Sequence, residues 1–202
     1  MSSGGGTVPG LGYGCSRGPE PSSGLRVLTG APGTGKSAIL GWLAVAGTIV
    51  VDEPAREILR EQRSTGASGT PDRSPATFVD LLLQRSIEKY LAARRLETDV
   101  FFDRGIPDCV AYAVHLGVDP KPSVTACREH RYEREVLIVA PWEQVYAVDE
   151  ERTMSFGDTI GFHDAIVRAY EGAGYELIEV PRGSIEDRAA FVQTSIQDPY
   201  SM

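Results

Sequence analysis

The sequence of 202 residues contains no asparagine, only three lysines and only three cysteines. Without asparagine, the N-K-x-D motif with which many GTPases read guanine cannot be present. The odd cysteine count, without metal-ligand spacing, favours reduced thiols over a disulfide framework or a zinc site, and so predicts a cytoplasmic location. No apolar run approaches the roughly 18 residues that a membrane-spanning helix needs. The first residues lack the basic start and apolar stretch of a secretory signal, so none is expected.

Positive charge is also scarce. Twenty Lys and Arg residues face 28 Asp and Glu residues, which gives a formal net charge of −8. This balance argues against nucleic acid or an anionic membrane as a main partner, although a local basic pocket could still bind phosphates. The composition is that of a globular protein, and the length favours one domain.

One short stretch stands out against this background. Residues 30–37, GAPGTGKS, fit the phosphate-binding loop pattern G-x-x-x-x-G-K-[ST] at every fixed position. The apolar run 25–28 before the stretch predicts a buried strand, and residues 37–46 after it predict a helix. The alternative is a chance glycine-rich turn ahead of a helix.

The chemistry of such a loop explains its residue types. Glycines let backbone N–H groups converge on a phosphate, and the helix N-terminus adds a positive dipole end. Lys36 would reach the β- and γ-phosphates, and the Ser37 hydroxyl would bind Mg²⁺. We therefore predict binding of ATP, in preference to GTP, together with Mg²⁺. The predicted nucleotide-binding residues are Gly30, Ala31, Pro32, Gly33, Thr34, Gly35, Lys36, Ser37 and Ala38.

Acidic residues follow two further predicted strands. Residues 48–51 are β-branched and end at Asp52 and Glu53. In open parallel α/β sheets, ligands lie beyond the C-terminal ends of the strands, so these carboxylates are candidates for a general base or for contacts with substrate. The alternative is an acidic cap on the helix that begins at Pro54. Arg56, on that helix, either touches the substrate or belongs to a solvated face.

The third predicted strand, residues 100–102, ends at Asp103 and Arg104. An acidic residue that closes an apolar strand is typical of the position that holds Mg²⁺, directly or through water, beside Ser37. Arg104 is either a contact for substrate or phosphate, or merely the partner of a buried carboxylate. Arg152 lies in a segment that could form a lid, where an arginine would stabilise charge on the transferring phosphoryl group. A surface ion pair is the alternative for Arg152.

Alternating strand and helix patterns predict a parallel sheet in a three-layer α/β/α sandwich. Two more strands are predicted at 136–139 and 175–180. Residues 1–24, rich in Gly, Ser and Pro, are expected to be a disordered lead-in. Residues 25–197 are expected to form a single domain, and residues 198–202 a frayed end. A long amphipathic helix over 76–96 is predicted to bury Phe78, Leu81, Leu82, Ile87 and Leu91.

Three of these motifs resemble a known family. The stretches DEPARE at 52–57 and DRGIPD at 103–108, with Pro141, Trp142 and Arg152, resemble the small AAA-domain P-loop group. That group includes the NadR-type nicotinamide riboside kinases and many predicted ATPases. The resemblance covers about residues 25–192, and the phosphate loop is its most specific part. It implies a P-loop NTPase fold of the kinase type, with strand order 2-3-1-4-5.

A second resemblance is to deoxynucleoside and thymidylate kinases. There a Glu-Pro after the second strand supplies the base, and an acidic-Arg pair after the third strand positions the substrate. Glu53-Pro54 and Asp103-Arg104 match those positions one by one. The lid departs from this pattern, since Arg152 stands alone where those kinases have several arginines.

Two functions stay open on the sequence. The first is a Mg²⁺-dependent phosphotransferase that moves the γ-phosphoryl of ATP to a hydroxyl of a small-molecule or nucleoside-like acceptor. In that function Lys36, Glu53, Asp103 and Arg152 would be catalytic. The second is a nucleotide-dependent regulatory binder or a slow ATPase or GTPase switch. The sequence names neither the acceptor nor the oligomeric state.

Overall fold

A computed structural model describes residues 24–96, 98–143 and 155–197. The predicted lead-in lies outside the described residues except for Gly24, and so does the predicted frayed end. Gly24 is tied into the fold at both of its backbone groups. Its N–H donates to Glu133 Oε1 over 2.9 Å, and its carbonyl accepts from Val100 N–H over 2.7 Å.

Strands and helices alternate along most of the described chain. The strands are β1 (Leu25–Gly30), β2 (Ile49–Val51), β3 (Val100–Asp103), β4 (Glu135–Val139) and β5 (Glu176–Glu179). The helices are α1 (Lys36–Val45), α2 (Pro54–Thr65), α3 (Pro75–Ala93), α4 (Ile106–His115), α5 (Lys121–Glu129), α6 (Phe156–Gly172) and α7 (Ile185–Gln197). None of the helices in these ranges is long and apolar enough to cross a membrane.

The five strands form one parallel sheet in the order β2-β3-β1-β4-β5, which confirms the predicted order. The strand register brings the strand ends to one edge. Leu28 in β1 is level with Asp103 in β3, and Gly30 is level with Val139 in β4. The glycine-rich loop after β1 therefore leaves the sheet beside the polar residues that follow β2 and β3.

Helices cover both faces of the sheet, as the alternation of side chains along its central strands requires. On β1, Val27 packs into a core shared with α4 and α6, while the next residue, Leu28, packs into a core shared with α1 and α7. On β3, Phe102 packs into the first of these cores and Phe101 into the second. This arrangement confirms the three-layer α/β/α sandwich.

The buried face of α3 differs from the prediction at one position. Leu91 is 43% exposed, whereas its neighbour Tyr90 is 2% exposed, so Leu91 is not a core residue. The face instead runs through Ser86, which the hydrophobic pattern did not mark. Ser86 can be buried because its hydroxyl donates to the Leu82 carbonyl over 2.7 Å, one turn earlier in the helix.

Candidate nucleotide and acceptor site

The glycine-rich loop begins at a position that only glycine can occupy. Gly30 has φ 133°, and a Cβ at this position would lie 2.3 Å from the Val139 carbonyl oxygen on the neighbouring strand. At the other end of the loop, Gly35 has φ 85° and caps α1, which begins at Lys36. The first N–H groups of a helix have no partner within the helix, so the N-terminus of α1 presents donors to a bound anion.

The lysine of the motif is folded over its own loop. Lys36 is 3% exposed, and its Nζ donates to the Ala31 carbonyl over 2.8 Å and approaches Thr34 Oγ1 at 3.5 Å. Thr34 Oγ1 also donates to the Ala31 carbonyl, over 3.0 Å. Ser37, the next residue, is exposed on the first turn of α1. The loop therefore carries a buried ammonium group and an accessible hydroxyl side by side in the sequence.

The two acidic residues after β2 point to different environments. Glu53 is 3% exposed and contacts two guanidinium groups: Arg104 Nε lies 2.7 Å from Oε1, and Arg56 Nε lies 3.3 Å from Oε2. Asp52 is exposed, and its backbone carbonyl accepts from Lys89 Nζ over 3.1 Å. Of the two carboxylates, Glu53 alone is buried at the edge of the sheet.

Arg104 occupies an unusual backbone conformation. It is the only residue other than glycine with a positive φ, 75°, in the described ranges. Such a conformation costs on the order of 1–3 kcal/mol and persists only where surrounding contacts enforce it. Here the Arg104 N–H donates to the Leu28 carbonyl over 3.1 Å, which ties the turn after β3 to β1.

The guanidinium of Arg104 is buried among carboxylates. Burial by itself would lower the pKa of Arg104, but the negative charge of Glu53, with contributions from Tyr112, Asp108 and Asp103, raises that pKa well above its ordinary value. Arg104 Nη1 donates to Asp108 Oδ1 over 2.9 Å. Its third nitrogen, Nη2, is buried and has no hydrogen-bond partner in the described part of the chain.

Asp108 is the centre of a buried network that the sequence did not reveal as part of the site. Its Oδ1 accepts from Thr29 Oγ1 over 2.8 Å as well as from Arg104, and its Oδ2 accepts from Tyr170 Oη over 2.7 Å and from Gly105 N–H over 3.0 Å. Thr29 immediately precedes the glycine-rich loop. Asp108 therefore connects that loop, through Arg104, to Glu53.

Asp103 and Ser37 are the predicted Mg²⁺ ligands. Asp103 is 6% exposed at the end of β3. In the ranges that the structure describes, no group of three or more His, Cys, Asp or Glu side chains could hold a metal ion. A single carboxylate and a hydroxyl suit Mg²⁺, which proteins usually bind through one or two carboxylates together with substrate phosphates and water. The donor set therefore fits an ion that arrives with a nucleotide.

The remaining predicted residues lie in different environments. Arg56 lies at the edge of the site, with its side chain 33% exposed. Ala38 is exposed on α1, next to Ser37. Arg152 lies outside the described residues, so its role as a lid residue stays a prediction. Sequence reasoning missed Thr29, Asp108, Tyr170 and Arg188. Only Asp108 had a local signal, as an acid in the first turn of a helix.

Three solved structures similar to this chain are kinases. Deoxyadenosine kinase from M. mycoides is 15% identical, with a TM-score of 0.58, and the match covers 86% of this chain and 99% of that one. Thymidylate kinase from Ehrlichia chaffeensis is 16% identical, with a TM-score of 0.56 and coverage of 88% and 100%. Shikimate kinase from Acinetobacter baumannii is 17% identical, with a TM-score of 0.52 and coverage of 90% and 100%. At these identities, the similarity shows the P-loop kinase fold.

Sequence comparisons give a family but no close relative. No curated protein matches the chain. A family model described as an AAA domain matches residues 25–188, which include the glycine-rich loop, the strand-end acids and most of the described helices. The chain therefore belongs to this family of AAA domains.

Proposed function

We propose that the protein is a kinase that transfers the γ-phosphoryl group of ATP to a hydroxyl group of a small-molecule acceptor. The observation that carries the proposal is the buried pair of Glu53 and Arg104, with Nε and Oε1 2.7 Å apart, at the sheet edge where the phosphate-binding loop lies. A buried carboxylate at this place can orient an acceptor hydroxyl and accept its proton. The similar structures support the proposal because they are named as kinases of deoxyadenosine, thymidylate and shikimate.

Nucleotide binding would use the loop and Lys36. Lys36 Nζ donates to the Ala31 carbonyl in this structure, and it would exchange this contact for phosphate oxygens. The N-terminal amides of α1 would bind the same phosphates, since they have no partner within the helix. This part of the mechanism depends on backbone geometry and one positive charge, and it is common to P-loop proteins.

Glu53 would orient the acceptor. A hydroxyl that donates to a Glu53 oxygen has its own oxygen directed at the γ-phosphorus. As the new O–P bond forms and the bond to ADP breaks, the hydroxyl proton passes to Glu53 and then to solvent. Two guanidinium groups already contact this carboxylate. We therefore assign Glu53 mainly to orientation, with proton acceptance late in the reaction, which suits the loose transition state of phosphoryl transfer.

Arg104 would contact the acceptor as well as Glu53. Its Nε and Nη1 are engaged by Glu53 and Asp108, which leaves Nη2 as a buried donor without a partner among the described residues. The rings of Tyr112 and Phe162 lie beside the guanidinium, each with its centroid 5.9 Å from Cζ. A hydroxyl or carbonyl oxygen of the acceptor would satisfy Nη2.

Ser37 and Asp103 would hold Mg²⁺. When bound, the ion neutralises charge on the β- and γ-phosphate oxygens. Arg152 would close over the transferring group if the lid prediction from sequence is correct. Asp52 and Arg56, at the rim of the site, are proposed to contact the acceptor from the solvent side.

The test is a measurement of ADP release with and without a panel of nucleosides and small alcohols. We expect strong stimulation by one acceptor class, and a loss of about 10²-fold of that stimulated rate in Glu53→Gln with Mg·ATP affinity unchanged. Glu129→Gln, which neutralises an exposed carboxylate on α5, is the matched control. Nucleotide binding without stimulation by any acceptor would instead favour a nucleotide-dependent regulatory binder.

A further inference from the structure

The C-terminal helix places a buried arginine on the phosphate-binding loop. Arg188, on α7, is 3% exposed, and its Nη2 donates to the Thr34 carbonyl over 2.8 Å. Its Nη1 lies 3.0 Å from the point that a Cβ of Gly35 would occupy. Gly35 therefore does more than adopt a left-handed conformation, because its missing side chain makes room for this guanidinium.

The helix that carries Arg188 is firmly anchored. Ser184 caps α7 by accepting from Asp187 N–H over 3.1 Å, and the Ser184 hydroxyl donates to Asp187 Oδ2 over 2.8 Å. Ala189 and Val192 are fully buried in the core that α7 shares with α1. The position of Arg188 on the loop is thus set by the packing of the helix. The neighbouring carboxylate of Asp187 is used for the cap.

The charge of Arg188 is not balanced within the described part of the chain. No carboxylate there lies within ion-pair distance of its guanidinium, and burial, with no opposing effect, lowers its pKa. Arg104 makes a useful contrast, because it is 4% exposed against 3% for Arg188 but contacts both Glu53 and Asp108. Buried charges in proteins are normally paired or bind a ligand, since an uncompensated one is costly.

We propose that Arg188 binds the phosphate chain of the nucleotide, with Nη1 contacting a phosphate oxygen while Nη2 stays on the Thr34 carbonyl. The inference rests on the proposed nucleotide binding and adds a residue from the far end of the chain to that site. Lys36 and Arg188 then provide two buried cations on one loop, and the polyphosphate provides the missing negative charge. Nucleotide binding consequently also strengthens the docking of α7 on α1.

Two substitutions separate this role from that of a structural brace. Arg188→Gln removes the charge and keeps an amide donor on a shorter side chain, whereas Arg188→Lys keeps the charge. Arg128→Gln, at an exposed position on α5, is the control for net charge. By calorimetry, we expect Mg·ATP to bind Arg188→Gln about 10- to 100-fold more weakly than wild type, with most of the loss recovered in Arg188→Lys. The control should bind as wild type does.

Thermal unfolding supplies a second readout. Without nucleotide, Arg188→Gln should unfold at the wild-type temperature or above it, because an uncompensated buried charge has been removed. Its stabilisation by saturating Mg·ATP should be smaller than that of wild type. A brace without ligand contact predicts the reverse: a lower unfolding temperature without nucleotide and an unchanged shift with it.

The outcomes also separate this inference from the proposal on which it rests. If wild type gives no binding heat with Mg·ATP, the proposed function fails and the inference fails with it. If wild type binds and Arg188→Gln binds equally well, only the inference is overturned. Should Arg188→Gln not fold, the Nε–H resonance of Arg188 in wild type decides, assigned with Arg188→Lys. It must shift on addition of Mg·ATP, and an unchanged resonance overturns the inference.

Discussion

Replacing Asp108 by asparagine tests whether the buried network holds the site together. Asp108 is 2% exposed, and its two oxygens accept four hydrogen bonds. Asparagine keeps the shape but has only one accepting oxygen. If that oxygen stays on Thr29 and Arg104, the amide nitrogen faces the Gly105 N–H, which loses its contact to Oδ2 and keeps only its contact with Tyr170 Oη.

The expected decrease in the free energy of unfolding is the sum of two contributions. The loss of one buried hydrogen bond, with the Gly105 N–H still bonded to Tyr170 Oη, costs about 0.5–1.5 kcal/mol. Removing one partner of a buried ion pair costs about 3–5 kcal/mol, and here Glu53 stays in contact with Arg104 and retains part of that stabilisation. We therefore expect Asp108→Asn to lower the free energy of unfolding by about 4 kcal/mol, or the unfolding temperature by about 10 °C.

Urea and thermal unfolding measure this loss of stability directly. Tyr170→Phe completes a double-mutant cycle with Asp108→Asn. Tyr170→Phe removes one donor to Asp108 Oδ2 and leaves the ring in the core, so it should cost about 1–2 kcal/mol. The double variant should be less destabilised than the sum of the two single variants, because both remove the same contact. If Asp108→Asn unfolds within about 0.5 kcal/mol of wild type, as exposed substitutions do, the network does not hold Arg104 in place.

Three further predictions concern the loop and the pH dependence. Lys36→Ala should abolish tight Mg·ATP binding in calorimetry while the far-UV circular dichroism stays native, and wild-type affinity would refute the loop assignment. Gly30→Ala should destabilise the fold by about 3 kcal/mol or more, because its Cβ would lie 2.3 Å from the Val139 carbonyl oxygen. Gly41→Ala, where a Cβ meets nothing within 4 Å, should be neutral or stabilising by up to about 1 kcal/mol, and equal effects at the two positions would contradict the geometry. Burial lowers the pKa of His163, so the unfolded state binds the proton more readily, and stability should fall as pH drops below about 6.5. His163→Gln should reduce this dependence of stability on pH, measured by urea unfolding. An unchanged dependence would show that His163 does not cause it.

The fold and the loop could be predicted because their signals are local. Strand periodicity, glycine spacing and the lysine of the motif all lie within a few residues of one another in the sequence. The acidic ends of β2 and β3 were found because parallel strands bring their C-terminal ends to one edge. Which of the two acids after β2 is buried could not be decided in this way. Asp52 and Glu53 are adjacent, and only the contacts of Glu53 with Arg104 and Arg56 separate them.

The supporting residues could not be predicted because their partners are far away in the sequence. Tyr170 lies 62 residues from Asp108, and Arg188 lies 154 residues from Thr34, so no local pattern marks either contact. The misassigned Leu91 has a different cause. A hydrophobic pattern treats every leucine as a core candidate and every serine as a surface one, whereas Ser86 is buried by bonding to its own helix.

The placement of Glu53 after β2 has a consequence for how acceptors could diversify. β2 has three residues, stands at the margin of the sheet and pairs with β3 alone, whereas β1, which leads into the loop, is flanked by strands on both sides. On the proposed function, the nucleotide would bind beside a strand that is flanked on both sides, whereas Glu53, proposed to orient the acceptor, follows a strand at the margin of the sheet. If that proposal holds, substitutions in and around β2 should change the choice of acceptor with little effect on nucleotide binding.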